Sequence, residues 1–149
     1  MTGQKQIDDV IAQDGVYVST TSGVSMYPML RDRRDTVIIE PYQGRLKKYD
    51  VPLYHRGDKY VLHRIVKVLP EGYVICGDNC LKKEYGISDR EIIGVLTGFY
   101  RDGKEIDMNG YGYRCYVRIW VWLYPFRAFI KLAGAALRKV VKRTGKDEV

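Results

Sequence analysis

Tyr60-Val61-Leu62-His63-Arg64-Ile65-Val66-Lys67-Val68-Leu69-Pro70-Glu71-Gly72-Tyr73-Val74-Ile75-Cys76 decides the fold. Tyr60 to Val68 is the longest strand signal in the chain. Val61, His63 and Ile65 share one face, and Leu62, Arg64, Val66 and Val68 share the other, because side chains alternate along a strand. Pro70-Glu71-Gly72 turns the chain, and Tyr73 to Cys76 returns as a second strand. Working outward, Val51 to His55 reads as a strand that enters this one through the hairpin turn Arg56-Gly57-Asp58. Thr36 to Glu40 is a short buried strand stopped at Pro41, and Val16 to Thr20 precedes it. On the other side, Gly77-Asp78-Asn79 is a turn, Ile92 to Tyr100 a strand, and Asp102-Gly103 a hairpin into Lys104 to Ile106. Many short strands with close-set turns imply an all-β body with hairpin connections.

Three segments are expected along the chain. Residues 1–14 hold a short helix over Gln4 to Gln13, with Ile7, Val10 and Ile11 on one side and Gly15 as its stop. Residues 15–110 are the β domain, and residues 111–149 are a tail beyond Asn109-Gly110-Tyr111-Gly112. The charge separates the last two. The net charge is +7, yet residues 1–110 hold 16 Lys/Arg and 16 Asp/Glu, whereas residues 111–149 hold 9 Lys/Arg against Asp147 and Glu148. The neutral body gives no reason to expect a nucleic-acid surface.

In the tail, Pro125 suits the first turn of a helix. Phe126, Phe129, Ile130, Ala133, Leu137, Val140 and Val141 recur at helical spacing, with Arg127, Lys131, Arg138, Lys139 and Lys142 between them. The pattern fits an amphipathic helix, and it leaves two readings open: peripheral membrane contact through residues 116–143, or packing on protein. The polar start from Met1 to Asp14 is not a signal peptide, and no apolar run of about 20 residues is present, so a cytoplasmic protein is expected. Cys76, Cys80 and Cys115 have no second Cys pair or His beside them, which argues against zinc and for free thiols.

Chemistry is sought first in Gly23-Val24-Ser25-Met26-Tyr27-Pro28-Met29-Leu30. A nucleophilic serine needs a tight turn that exposes its hydroxyl and aims backbone N–H groups at the oxyanion. Gly23 permits such a turn, and Met26 and Leu30 can anchor it in the core. Alone, Ser25 is an ordinary turn serine. His63 supplies a proton acceptor near neutral pH on a rigid strand. Asp78, in the Gly77-Asp78-Asn79 turn, and Glu84 are two carboxylates able to orient His63.

In this order, Gly23-x-Ser25-Met26-x-Pro28-x-Leu30, His63-Arg64-Ile65-Val66 and Gly77-Asp78-Asn79 resemble the signal peptidase I superfamily. Asp35-Thr36-Val37-Ile38-Ile39 resembles its strand after the nucleophile. Tyr49-Asp50-Val51-Pro52-Leu53-Tyr54 is similar to its Gly-Asp-Val-Val segment, with Tyr49 in place of Gly, and Ile92-Ile93-Gly94-Val95 to its closing strand. Leader peptidases and repressor autopeptidases of that superfamily pair Ser with Lys. The endoplasmic-reticulum and sporulation-type members place His there, and His63 is similar to theirs.

The resemblance implies a coiled antiparallel β-sheet and a serine endopeptidase working through an acyl-enzyme. It implies a peptide or protein substrate bound as an added strand with small side chains before the cut, and neither metal nor organic cofactor. Many relatives carry a Ser that helps bind the oxyanion two positions before the nucleophile. Gly23 stands there in this chain, leaving the Ser25 backbone N–H with help from Ser22 or Thr21. Rival readings are a catalytically inactive binding module on the same fold and a membrane-surface adaptor. A repressor autopeptidase would need a DNA-binding helix pair, for which the first 15 residues are too short.

Overall fold

The computed structural model describes residues 2–144, with side chains from residue 7 onward. Met1 and residues 145–149, among them Asp147 and Glu148, lie outside the described residues. Helix α1 (Thr2–Asp14) is closed by Gly15, whose φ of 71° lets its N–H reach back to the Ile11 carbonyl at 3.0 Å. Strands β1 (Tyr17–Thr20), β2 (Thr36–Glu40) and β3 (Pro52–Arg56) follow, then β4 (Lys59–Leu62), β5 (Arg64–Leu69) and β6 (Gly72–Cys76). Next come β7 (Glu84–Ile87), β8 (Ile92–Arg101) and β9 (Lys104–Ile106). Helices α2 (Tyr111–Trp122) and α3 (Tyr124–Thr144) complete the described chain.

The fold is mainly β: a curled antiparallel sheet forming a half-barrel, with three helices. One sheet runs β1-β2-β8-β3-β4, with β9 hairpinned onto β8, and a second runs β5-β6-β7. The alternation in β2, where Val37 and Ile39 point inward, aims one face of the large sheet at a core of Ile11, Met26, Met29, Leu30, Val51, Leu53, Leu96 and Phe99. A second core, built on Tyr54, Ile65, Tyr73 and Ile75, joins the two sheets.

Three features differ from the expectation. The long strand over Tyr60 to Val68 is two strands, broken at His63, where the chain leaves the large sheet and enters the small one. Such corners form where one strand serves two sheets, and they put the residue at the bend between both cores. Glu84–Ile87 is a strand, although Gly86 and its exposed Tyr85 give it no alternating signature. The helical part of the tail begins at Tyr111, fourteen residues before Pro125 if counted along the sequence.

Helix α2 belongs to the body. Val117 is buried, Tyr113 and Tyr116 pack against the first core, and the Trp120 indole N–H donates to the Asp78 carbonyl at 3.0 Å. Among the described residues no helix is long and apolar enough to cross a membrane. Val117→Ala is expected to lower the stability of the whole domain by about 1–3 kcal/mol. The measurement is a single urea transition with a lower midpoint and unchanged slope. An independent tail would leave the β-sheet midpoint where it was.

Candidate active site

The loop carrying Ser25 is held from three sides. Met26, Met29 and Leu30 are buried in the first core. Behind them Asp35, fully buried, accepts from the Arg31 N–H at 2.9 Å and from the Arg31 and Arg101 guanidinium groups at about 3.0 Å. Burial acts to raise the Asp35 carboxyl, but Arg101 and Arg31 outweigh it and hold the group below its ordinary value. The third hold is the Gly77–Cys80 turn. The Asn79 N–H donates to the Ser25 carbonyl at 2.8 Å, and the Asn79 amide donates to the Val24 carbonyl at 3.1 Å.

Gly77 makes this approach possible. A Cβ there would lie 2.7 Å from the Ser25 carbonyl oxygen and 3.0 Å from His63 Nε2. The Ser25 loop and the imidazole therefore converge on a position that only a hydrogen can fill. Ser25, His63 and Cys80 line a common cleft of about 490 Å³, together with residues of β1 and β4. No hydrogen bond joins the Ser25 hydroxyl to His63 among the described residues.

His63 is buried at the β4–β5 corner, and two elements meet its other nitrogen. Tyr54 of β3 places its hydroxyl 3.3 Å from Nδ1, and Glu84 at the start of β7 places Oε1 at 3.3 Å. The Tyr54 hydroxyl donates its own proton to Glu84 at 2.9 Å, and Arg56 donates to the same carboxylate oxygen at 2.8 Å. Both groups facing Nδ1 are thus acceptors. The network assigns the proton of the neutral ring to Nδ1 and the lone pair to Nε2.

Burial pushes His63 below its ordinary value of 6.5. Glu84 opposes that shift, and Arg56 reinforces it. The unfolded chain then binds a proton that the folded ring refuses, so this group costs stability as pH falls below about 6.5 and nothing above it.

Of the two carboxylates offered by the sequence as partners for His63, Glu84 takes the position. Asp78 is committed elsewhere. Its two oxygens accept from Arg64 Nε and Nη2, each at 2.8 Å, in a bidentate pair buried on both sides. Arg64 also donates to the Tyr49 carbonyl and the Tyr113 hydroxyl, and it approaches Met29 Sδ.

The Thr21 hydroxyl is not available to an oxyanion either, because it donates to the Arg31 and Asp35 carbonyls. Ser22 is exposed beside the cleft, and the Gly23 N–H is taken by Asp32 at 2.7 Å. The Ser25 N–H makes no hydrogen bond among the described residues. His55 pairs with Asp8 of α1 at 3.2 Å.

Tyr54 and Arg56 escaped the sequence reading. The signal for Arg56 was its place in a charged hairpin turn, where solvent is the ordinary partner. Tyr54 reads as one more core aromatic. All three cysteines are free, and burial pushes the Cys76 thiol up to about 11. No protein-family model matches the chain, and no curated protein is significantly similar to it.

Asp78→Ala leaves Arg64 buried without its counter-charge, and a loss of about 3–5 kcal/mol is expected from urea unfolding. Glu84→Ala, at a part-exposed carboxylate, should cost well under half of that. Gly77→Ala must displace the Ser25 carbonyl. Its expected signature is a folded protein whose reactivity toward a serine-directed acylating probe falls by about 10²-fold, the scale of a 1 Å misplacement. Probe labelling at the parent rate would mean that Gly77 does not set the loop.

Proposed function

We propose that this chain is a serine endopeptidase of the signal-peptidase type, with Ser25 as nucleophile and His63 as general base. The observation that carries the reading is the imidazole: Nδ1 is held by two acceptors, Nε2 is turned toward the segment that carries Ser25, and burial keeps the ring neutral. Glu84 is the orienting carboxylate, and Tyr54 shares that role. Ser25 Oγ attacks the scissile carbonyl carbon while Nε2 takes its proton. The oxyanion accepts from the Ser25 N–H, with help from Ser22, which lines the same cleft. Nε2 then returns the proton to the leaving amine as the C–N bond breaks. Water, deprotonated by the same nitrogen, hydrolyses the acyl-enzyme.

The cleft supports a peptide substrate bound as an added strand. β1 and β4 are the two ends of the large sheet, and both line the cleft. Their outer edges offer main-chain donors and acceptors to an extended chain lying between them. A dedicated precursor or leader peptide in the cytoplasm is the substrate class that fits free thiols and a cleft of this size.

Cleavage of a candidate precursor by Ser25→Ala or His63→Ala should fall by on the order of 10⁴-fold or more. Parent activity in either variant ends the proposal. The acid limb of kcat/KM should lie below 6.5, since activity needs the neutral ring. Glu84→Gln removes a charge that raises His63 and should move the limb lower, with a rate loss of about 10²-fold. Arg56→Ala removes a charge that lowers it and should move the limb higher. Shifts in the same direction would break the assignment of His63 as base.

A further inference from the structure

Helix α3 carries two surfaces of opposite chemistry, and the fold uses little of either. Phe126, Phe129, Ile130, Ala133, Leu137, Val140 and Val141 recur three and four residues apart, so they form one stripe along the helix. Every one is exposed, Phe129 at 73% and Leu137 at 66%, and Trp122 at the end of α2 is exposed at 73%. The helix has 21 residues, which makes it roughly 32 Å long at 1.5 Å per residue. Single exposed apolar residues are ordinary, but a contiguous stripe of this length marks a surface meant to be covered.

The cations fall into two groups. Arg127 and Lys131 point into the body: Arg127 donates to the Asp78 carbonyl at 2.7 Å, and Lys131 donates to the Asn79 side-chain oxygen at 2.6 Å. Arg138, Lys139, Lys142 and Arg143 are exposed farther along, and α2 and α3 contain no Asp or Glu. A cleft lined by Tyr27, Pro28, Trp120 and Ile130 joins the helix to the loop that carries Ser25, where Val24 and Tyr27 are also exposed.

We propose that α3 lies flat on an anionic lipid surface, with its apolar stripe in the interface and Arg138, Lys139, Lys142 and Arg143 on the headgroups. Charge decides the occupant. A second copy of this chain packed stripe to stripe would leave the four exposed cations of each helix unmet, with no carboxylate in either helix. An anionic leaflet supplies the missing counter-charge along the whole length. Arg127 and Lys131 fix the helix to the turn beneath Ser25, so the cleft stands at a set distance from that surface. The proposal goes beyond the peptidase reading, and its test does not depend on cleavage.

The test is sedimentation of the full-length protein with phosphatidylcholine vesicles, with and without phosphatidylglycerol, and Trp fluorescence alongside. Binding is expected to the phosphatidylglycerol vesicles, weakened by salt, with a blue shift as Trp122 leaves water. F129E/L137E, both exposed positions, should lower binding by more than about tenfold. R138Q/K139Q/K142Q, which keeps the apolar stripe, should lower it by about 10²-fold. The proposal is overturned if the full-length protein ignores phosphatidylglycerol vesicles or binds pure phosphatidylcholine equally well. It is also overturned if the protein forms a dimer that F129E/L137E dissolves while lipid binding stays absent.

Discussion

The buried pair of Arg64 and Asp78 is the constraint on which the rest of the site depends. A guanidinium with no exposure to water demands compensation on every nitrogen, and the chain supplies it from four places. Asp78 takes Nε and Nη2, the Tyr49 carbonyl and Tyr113 hydroxyl take Nη1, and Met29 Sδ lies against Nη2. These partners come from the Gly77–Cys80 turn, the segment before β3, helix α2 and the loop that carries Ser25. One side chain thereby fixes four segments with respect to β5. His63 is its immediate neighbour in sequence, so the same residue that locks the scaffold also locks the backbone of the proposed base.

The division of labour between the two carboxylates follows from this. Asp is short and sits in a turn pressed against Arg64, where a rigid bidentate pair has the right reach. Glu84 enters from β7, across Ile75 of β6, and needs the extra methylene to arrive beside Nδ1. Its charge is divided among Tyr54, Arg56 and the ring. Arg56 is half-exposed and screened, while Tyr54 is fully buried and pushed upward in pKa by that burial, so it is a neutral donor near neutral pH. The ring is therefore poised by opposing influences of unequal burial, with desolvation the largest.

Much of the β body was legible because alternation and turn residues are local signals. β2, β6 and β9 fall where the pattern puts them, and so does the Gly15 stop. The break at His63 was not legible, since a chain that passes from one sheet to another stays extended on both sides and keeps its alternation. β7 was hidden because it is a short edge strand with a glycine and exposed side chains, and its pairing with β6 is a non-local fact. The choice between Asp78 and Glu84 was open for the same reason: it depends on which cation reaches which carboxylate, and alternation places Arg64 on a face with Leu62, Val66 and Val68 without naming its partner. Its burial decides the partner, because a buried charge must be paired, and the acid that pairs with it is Asp78.

The Gly77–Cys80 turn explains why helices α2 and α3 belong to the site. A peptide group has a donor side and an acceptor side, and this turn uses both. The Asn79 N–H faces the loop of Ser25, while the Asp78 carbonyl faces away and receives Trp120 and Arg127. Arg127 is also stacked on the Trp120 ring at 4.1 Å, which holds its planar group in register with that carbonyl. Cations on the carbonyl side strengthen the dipole that points its N–H at the Ser25 carbonyl. The turn is thus clamped between the loop that carries Ser25 and a positively charged helix. The basic residues of the tail divide accordingly: those at its start serve the site through the turn, and those farther along are free to meet a surface that the protein itself does not contain.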